Sequence, residues 1–288
     1  MDAVTYGSNL GTANTNREPS QTIWGRVPID QLVNGRANGF YALDEFVEFP
    51  YITTPTITTE AAIGGKLGYK AFGSSGGTLL SGGSQFGDVA LVEATDNEGV
   101  GLATIALPVQ IDRNNANFAT EIRLKCSTIA DTTAGVFFGL MGSQTLSATV
   151  PIAAAGTLAD NNFVGFHRLE GDGDQFDAVY KANGVTQVTQ LADAITSLNS
   201  PSGSSALVAN TYIKLGMFFH AASSVFTWYV NGIPCPTPKT VPSSTTAAGT
   251  DFPNDVTMGF CLAQLLAASS AFTTTVDWWG WAHWTDNP

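Results

Sequence analysis

Phe118-Ala119-Thr120-Glu121-Ile122-Arg123-Leu124-Lys125-Cys126-Ser127 places Phe118, Thr120, Ile122, Leu124 and Cys126 on one parity, and Ala119, Glu121, Arg123, Lys125 and Ser127 on the other. Alternation sustained to Ile129 is the period of a β-strand, in which successive side chains leave opposite faces of the sheet. The expected arrangement is one face on a core and the other in water.

The same texture extends on both sides. Upstream, Phe40–Phe49 reads as a strand closed by Pro50, followed by a glycine-rich stretch with strands near 66–72 and 88–92, then 101–107. Downstream, 135–141, 163–169, 175–181, 185–190, 211–219, 225–230, 256–264 and 273–284 are strand segments. Asn183-Gly184 and Asn231-Gly232 are hairpin signals, because both dipeptides tolerate positive φ. Only 191–198 shows helical spacing. About a dozen short strands punctuated by turns predict an all-β, antiparallel two-sheet sandwich.

The last strand carries tryptophan on both parities. Val276, Trp278, Gly280, Ala282 and Trp284 alternate with Asp277, Trp279, Trp281 and His283. Neither face of such a strand suits open water. It is expected either to lie centrally within its own domain or to be covered by the N-terminal stretch or a neighbouring subunit.

Residues 1–40 lack sustained periodicity and are rich in Asn, Gly and Pro, so they read as an extended attachment arm preceding a sandwich over 41–288. Within this arm Trp24, with Arg26 beside it, either anchors in a partner's pocket or packs back on its own domain. Deleting 1–40 is expected to leave a folded sandwich.

Composition excludes several function classes. Lys and Arg number 12 against 24 acids, a net charge of −12, which disfavours nucleic acid as a partner. Residues 1–40 are neutral, so the whole excess resides on 41–288. No apolar run approaches membrane-spanning length. The N-terminus shows no signal-peptide pattern, and Cys126, Cys235 and Cys261 lack metal-ligand spacing. Reduced thiols and synthesis in a cytoplasm are the expectation.

Several collinear segments carry a resemblance: Asp44-Glu45-Phe46-Val47-Glu48-Phe49, Glu93–Glu98, Phe118–Lys125, Gly139-Leu140, Gly165-Phe166-His167-Arg168-Leu169 with Asp172-Gly173-Asp174, Tyr212–Gly216, Trp228-Tyr229-Val230-Asn231-Gly232 and Val276–Trp279. Over residues 40–284 the chain resembles the concanavalin A-like (laminin G-like) jelly-roll structural proteins of tailed-phage particles, many of them head decoration proteins. The resemblance implies a virion protein on the head exterior, made in the host cytoplasm, binding the major capsid protein and its own copies. The alternatives are a carbohydrate- or receptor-binding module on a head or tail fibre, with a host-surface glycan as partner, and a glycan hydrolase.

Candidate chemistry is sparse. A hydrolase of this fold needs convergent carboxylates. Glu93, Asp96 and Glu98 come closest, yet their spacing differs from the family's Glu-x-Asp-x-x-Glu and they fall in a turn; Asp44, Glu45 and Glu48 also miss it. Glu170-Gly171-Asp172-Gly173-Asp174 suggests calcium, but it lacks the length and final glutamate of an EF-hand and reads first as a turn. His167, His220 and His283 stand far apart. No nucleophile elbow or phosphate loop is present. No catalytic, cofactor or metal residue is therefore assigned. Sugar stacking would fall to Tyr180, Trp228, Tyr229 and Trp281, residues that core packing explains equally.

Overall fold

The computed structural model describes residues 17–46, 61–64, 68–73, 77–81, 87–106, 108–111, 116–142, 151–153, 156–171, 173–195, 207–242, 251–254, 256–268 and 270–285. Its strands are β1 (Gly39–Asp44), β2 (Ala61–Gly64), β3 (Tyr69–Gly73), β4 (Thr78–Ser81), β5 (Val89–Glu93), β6 (Gly99–Thr104), β7 (Val109–Gln110), β8 (Asn117–Cys126) and β9 (Ala134–Gly142). They continue as β10 (Phe163–Arg168), β11 (Asp177–Lys181), β12 (Val188–Leu191), β13 (Ile213–His220), β14 (Val225–Val230), β15 (Ile233–Pro234), β16 (Lys239–Thr240), β17 (Thr257–Leu266) and β18 (Phe272–Trp284).

Two antiparallel sheets form. The first runs β15-β14-β13-β8-β18-β5-β4, with β1 also paired to β18; the second runs β12-β11-β10-β9-β17-β6-β3-β2. Consecutive strands repeatedly cross between the two layers, so the sandwich is closed by non-local pairing. Ring contacts fill the space between. Trp279 packs on Phe138 and Phe260 at centroid distances of 5.6 and 5.5 Å, and Trp281 lies 4.3 Å from Phe260.

The predicted strands coincide closely with those observed; Asn231-Gly232 closes a tight hairpin, whereas Asn183-Gly184 turns the chain within a longer connection, 182–187, between β11 and β12. Asn231 and Gly232 take φ of 51° and 78°, the pair of positive values that a two-residue hairpin needs, and Val230 pairs with Ile233 across them. Gly184 takes φ of 75°. Residues 188–191 are strand and 192–195 are bends and turns rather than helix; 196–198 lie outside the described residues. The 47–50 end of the first predicted strand, and Lys66 and Leu67, also lie outside them.

The outward parity of β8 differs from expectation. Ala119, Glu121 and Arg123 are buried although they face away from the core. Residues 17–38 cover them. This strap is not extended: Gln21–Trp24 (α1) and Ile29–Val33 (α2) are short helices, and the chain then enters β1 on the sheet itself. Ile23, Trp24, Val27 and Leu32 form a second apolar layer with Ala119, Phe218, Tyr229, Ala282 and Trp284. A boundary at residue 40 therefore does not coincide with a structural break. Removing 1–40 would strip the apolar cover from this face, so a folded core with Ala119, Phe218, Tyr229, Ala282 and Trp284 laid open to water, prone to association, is the expected product rather than a well-behaved sandwich.

Glycines let the strap approach. A Cβ on Gly216 would stand 2.4 Å from Ile23 Cδ1, and one on Gly280 would stand 2.8 Å from Trp24 Cζ2. In β18 the parity changes at Asp277, because Val276 pairs with Leu124 and Trp278 with Arg123, leaving Asp277 as an unpaired extra residue. This bulge turns Trp279 and Trp281 into the core while Trp278, Gly280, Ala282 and Trp284 face the strap side.

Candidate functional site: a cleft beside the N-terminal strap

Polar contacts fix where the strap lies. Glu121 Oε2, fully buried, accepts hydrogen bonds from Ser20 N and Trp24 Nε1, each at 2.8 Å. Burial pushes the Glu121 carboxyl above its ordinary pKa, and the charge of Lys214 acts against that shift. Lys214 Nζ donates to Glu18 O at 2.9 Å. Asp277, delivered outward by the bulge, is paired with Arg123 and with Arg17 Nε at 3.0 Å, and Arg17 Nη1 reaches Glu45 at 2.7 Å. The Arg123 guanidinium lies 3.9 Å from the Tyr212 ring centroid. Trp278 Nε1 donates to Arg17 O at 2.6 Å.

Trp24 thus takes the second of its two expected roles, packing on its own domain with 3% exposure. Its neighbour Arg26 is different. Buried Trp24 and Val27 bracket it, and its side chain leaves the strap into solvent at the rim of an open cleft of 460 Å³. Arg26 Nη1 donates to Tyr229 Oη at 3.3 Å, and the guanidinium lies 5.3 Å from the Phe218 centroid.

Another part of the wall is the connection from β13 to β14. Buried Asn117 accepts from Ala221 N at 3.0 Å, and Ser224 takes φ of 56°, so the chain reverses in a tight turn. That turn presents His220, whose Nδ1 lies 2.8 Å from Ser223 Oγ. Thr227 and Val225 continue the wall, and the floor consists of Phe218 and Trp284, packed edge-on at 6.0 Å. Among the described residues no carboxylate lines the cleft.

The four expected stacking residues lie elsewhere, and this corrects that expectation. Tyr180, Trp228, Tyr229 and Trp281 are 2%, 0%, 2% and 6% exposed. Trp228 Nε1 donates to Gly165 O at 2.9 Å inside the core, and Tyr180 accepts from Lys239 Nζ at 2.8 Å. Tyr229 lies beneath the strap and Trp281 in the main core. Their alternation reports burial on two faces, so their rings offer no platform to solvent.

Glu93 and Asp44 are engaged locally. Buried Glu93 Oε1 accepts from Ala94 N and Thr95 N at 2.8 and 3.0 Å, closing its own turn, while Asp96 is exposed. Asp44 accepts from Tyr69 Oη and Phe46 N. Glu48 and Asp172 lie outside the described residues. Among the described residues, no three His, Cys, Asp or Glu side chains gather as a metal site. Arg168 Nε donates to Gly173 O at 2.7 Å, which ties the 170–174 turn to the buried end of β10. Nor does any described helix have the length and apolarity to cross a membrane.

His167 is buried, and desolvation lowers its pKa to about 4. Burial raises the Cys126 and Cys235 thiols to about 11 and about 12, and Cys261 is also shifted up. These groups are inert packing elements as they stand. Sequence reasoning singled out Arg26 but missed His220, Ser223 and Thr227, because a cleft wall made by a strand end and a turn has no periodic signature.

No protein-family model matches the sequence, and no curated protein matches it. Solved structures do. Peanut lectin, crystallised with a nonapeptide, superposes with a TM-score of 0.50 at 12% identity, covering 86% of this chain and 98% of the lectin. The endo-1,3-β-glucanase from Streptomyces sioyaensis gives 0.50 at 14%, covering 85% and 97%. Arcelin-5, a lectin-like defence protein from Phaseolus vulgaris, gives 0.50 at 11%, covering 86% and 100%. At such identities the likeness concerns backbone architecture alone, since one jelly roll carries unrelated functions. The chain has the concanavalin A-like jelly-roll fold.

Proposed function

We propose that this chain is a non-enzymatic structural protein of a tailed-phage particle, displayed on the head exterior, where it binds the major capsid protein and its own copies. The observation that carries this reading is that segments of family resemblance fall on the framework strands β8, β9, β10, β13, β14 and β18, while Glu93 and Asp44 hold their own turns and Glu45 pairs with Arg17 of the strap. Binding that favours the assembled lattice would reinforce it by mass action. Quantitative mass spectrometry of purified particles tests the proposal. Hundreds of copies per particle are expected; a handful, or none, would refute head decoration.

One observation favours a second reading, a glycan-binding module on the particle surface. The open cleft beside the strap combines apolar ring edges with an arginine, an imidazole and hydroxyls, a donor set suited to saccharides. One of the proteins with this backbone is a lectin by name and another is named lectin-like. Binding of the full chain to immobilised glycans, lost on replacing Arg26 and His220 together, is the expected outcome under this reading.

A further inference from the structure

We infer that the cleft between the strap and the β13–β14 turn takes a sugar bearing a carboxylate. This rests on the glycan-binding reading and names its ligand class.

The first ground is charge. The chain carries −12, yet among the described residues the cleft is lined by Arg26 and by no acid. Arg17 and Arg123 pair with Asp277, Arg168 donates to several carbonyl oxygens, and Arg36 is exposed outside the cleft. Arg26 instead rests on neutral groups, the Tyr229 hydroxyl and the Phe218 ring, which hold it without cancelling its charge. A guanidinium presents a planar fork of donors that a carboxylate fills with two parallel hydrogen bonds.

The second ground is preorganisation. Trp24 and Val27 are locked in the layer beneath, so the backbone on either side of Arg26 is fixed before any ligand arrives. Little ordering cost then falls on binding. Docking of the strap therefore builds the site, and an unfastened strap would remove Arg26 from it.

The third ground is size and texture. A cavity of 460 Å³ exceeds what a lone carboxylate fills and lies within the range of small-molecule sites. The His220–Ser223 pair and Thr227, also in the lining, supply donors and acceptors for ring hydroxyls. Val225 and the edges of Phe218 and Trp284 supply apolar contact for a ring's C–H groups. A neutral sugar would leave the guanidinium without its counterpart, and a simple anion would leave the wall unused.

The test is titration of the full chain, by calorimetry or by protein NMR shifts, with glucuronic acid, glucose and acetate in parallel, on the parent and on Arg26→Gln. Glucuronic acid is expected to bind at least tenfold more tightly than glucose or acetate, and Arg26→Gln should reduce it to the glucose level. Arg26 is exposed, so an unchanged thermal melt accompanies that loss. His220→Ala should weaken glucuronic acid severalfold while leaving acetate unchanged. Equal binding of glucose, equal binding of acetate, or an Arg26→Gln variant that still prefers the acid would overturn the inference. Tight neutral-sugar binding that survives Arg26→Gln would leave the glycan reading standing and remove the carboxylate. Absence of any saccharide binding would remove both.

Discussion

The two faces of the first sheet are both buried, but by different physics. On the inner face Trp279 and Trp281 meet Phe138 and Phe260 in a continuous apolar layer. On the outer face Trp24 and Ile23 are set among buried ions: Glu121, Arg123, Lys214 and Asp277. Apolar burial is roughly proportional to area and indifferent to direction, so the inner face supplies most of the stability. Buried charges tolerate few arrangements, because each must keep its partner. The outer face therefore supplies position: the strap docks in one register, and Arg26 emerges at one place.

Four experiments break or sharpen that contrast, beginning with the largest effect. Trp279→Ala opens a cavity in the inner layer and should cost about 4 kcal/mol of global stability, read by denaturant unfolding. A loss below about 1 kcal/mol would mean that the inner face is not the main support. Asp277→Ala leaves Arg123 buried without its carboxylate, and a cost of about 3 kcal/mol is expected. Because Arg17 loses the same partner, proteolysis within 17–38 should accelerate in this variant more than in Trp279→Ala at matched stability.

Next in size is Gly280→Val. Its side chain would enter the volume of the Trp24 ring, so the strap should detach while the two-sheet core stays folded. Trp24 fluorescence shifting to the red with little change in far-ultraviolet circular dichroism is the expected signature. A variant that unfolds as a whole would show that strap and sandwich form one cooperative unit.

The smallest effect concerns Glu121. Its pKa is raised by burial in the folded chain, so between the ordinary carboxylate value and the raised one the native state keeps a proton that the unfolded chain has lost. Stability should thus be fullest below the ordinary value and decline as pH rises through the raised one. Glu121→Gln keeps an oxygen for Ser20 N and Trp24 Nε1 and should cost under about 1 kcal/mol while flattening that part of the pH profile. A large loss at all pH values would show that the charge itself is needed.

Much of the architecture was legible in the residues. The alternation in β8, the exact extent of Val225–Val230 and the Asn231-Gly232 turn follow from local geometry, and the tryptophans on both parities of β18 announced that both of its faces would be covered. The candidate site was less legible. Arg26 stood out as a cation near a lone tryptophan, but the sugar-stacking residues chosen by parity are core residues, since a ring on a strand alternates identically whether the face beyond it is open or sealed.

The sequence by itself determined that strands form, where most of them turn and that they stack in two layers, because a period of two and the φ preferences of Asn-Gly act over a few residues. Tertiary structure alone decided what covers the outward face of β8, which way Asp277 points and that Arg26 opens into a cleft. Those outcomes depend on contacts such as Trp24 with Glu121 and Arg17 with Trp278, which join residues 97 and 261 positions apart. No local period encodes a meeting at that distance; it is settled by whether the polar groups on both sides find partners when the surfaces close.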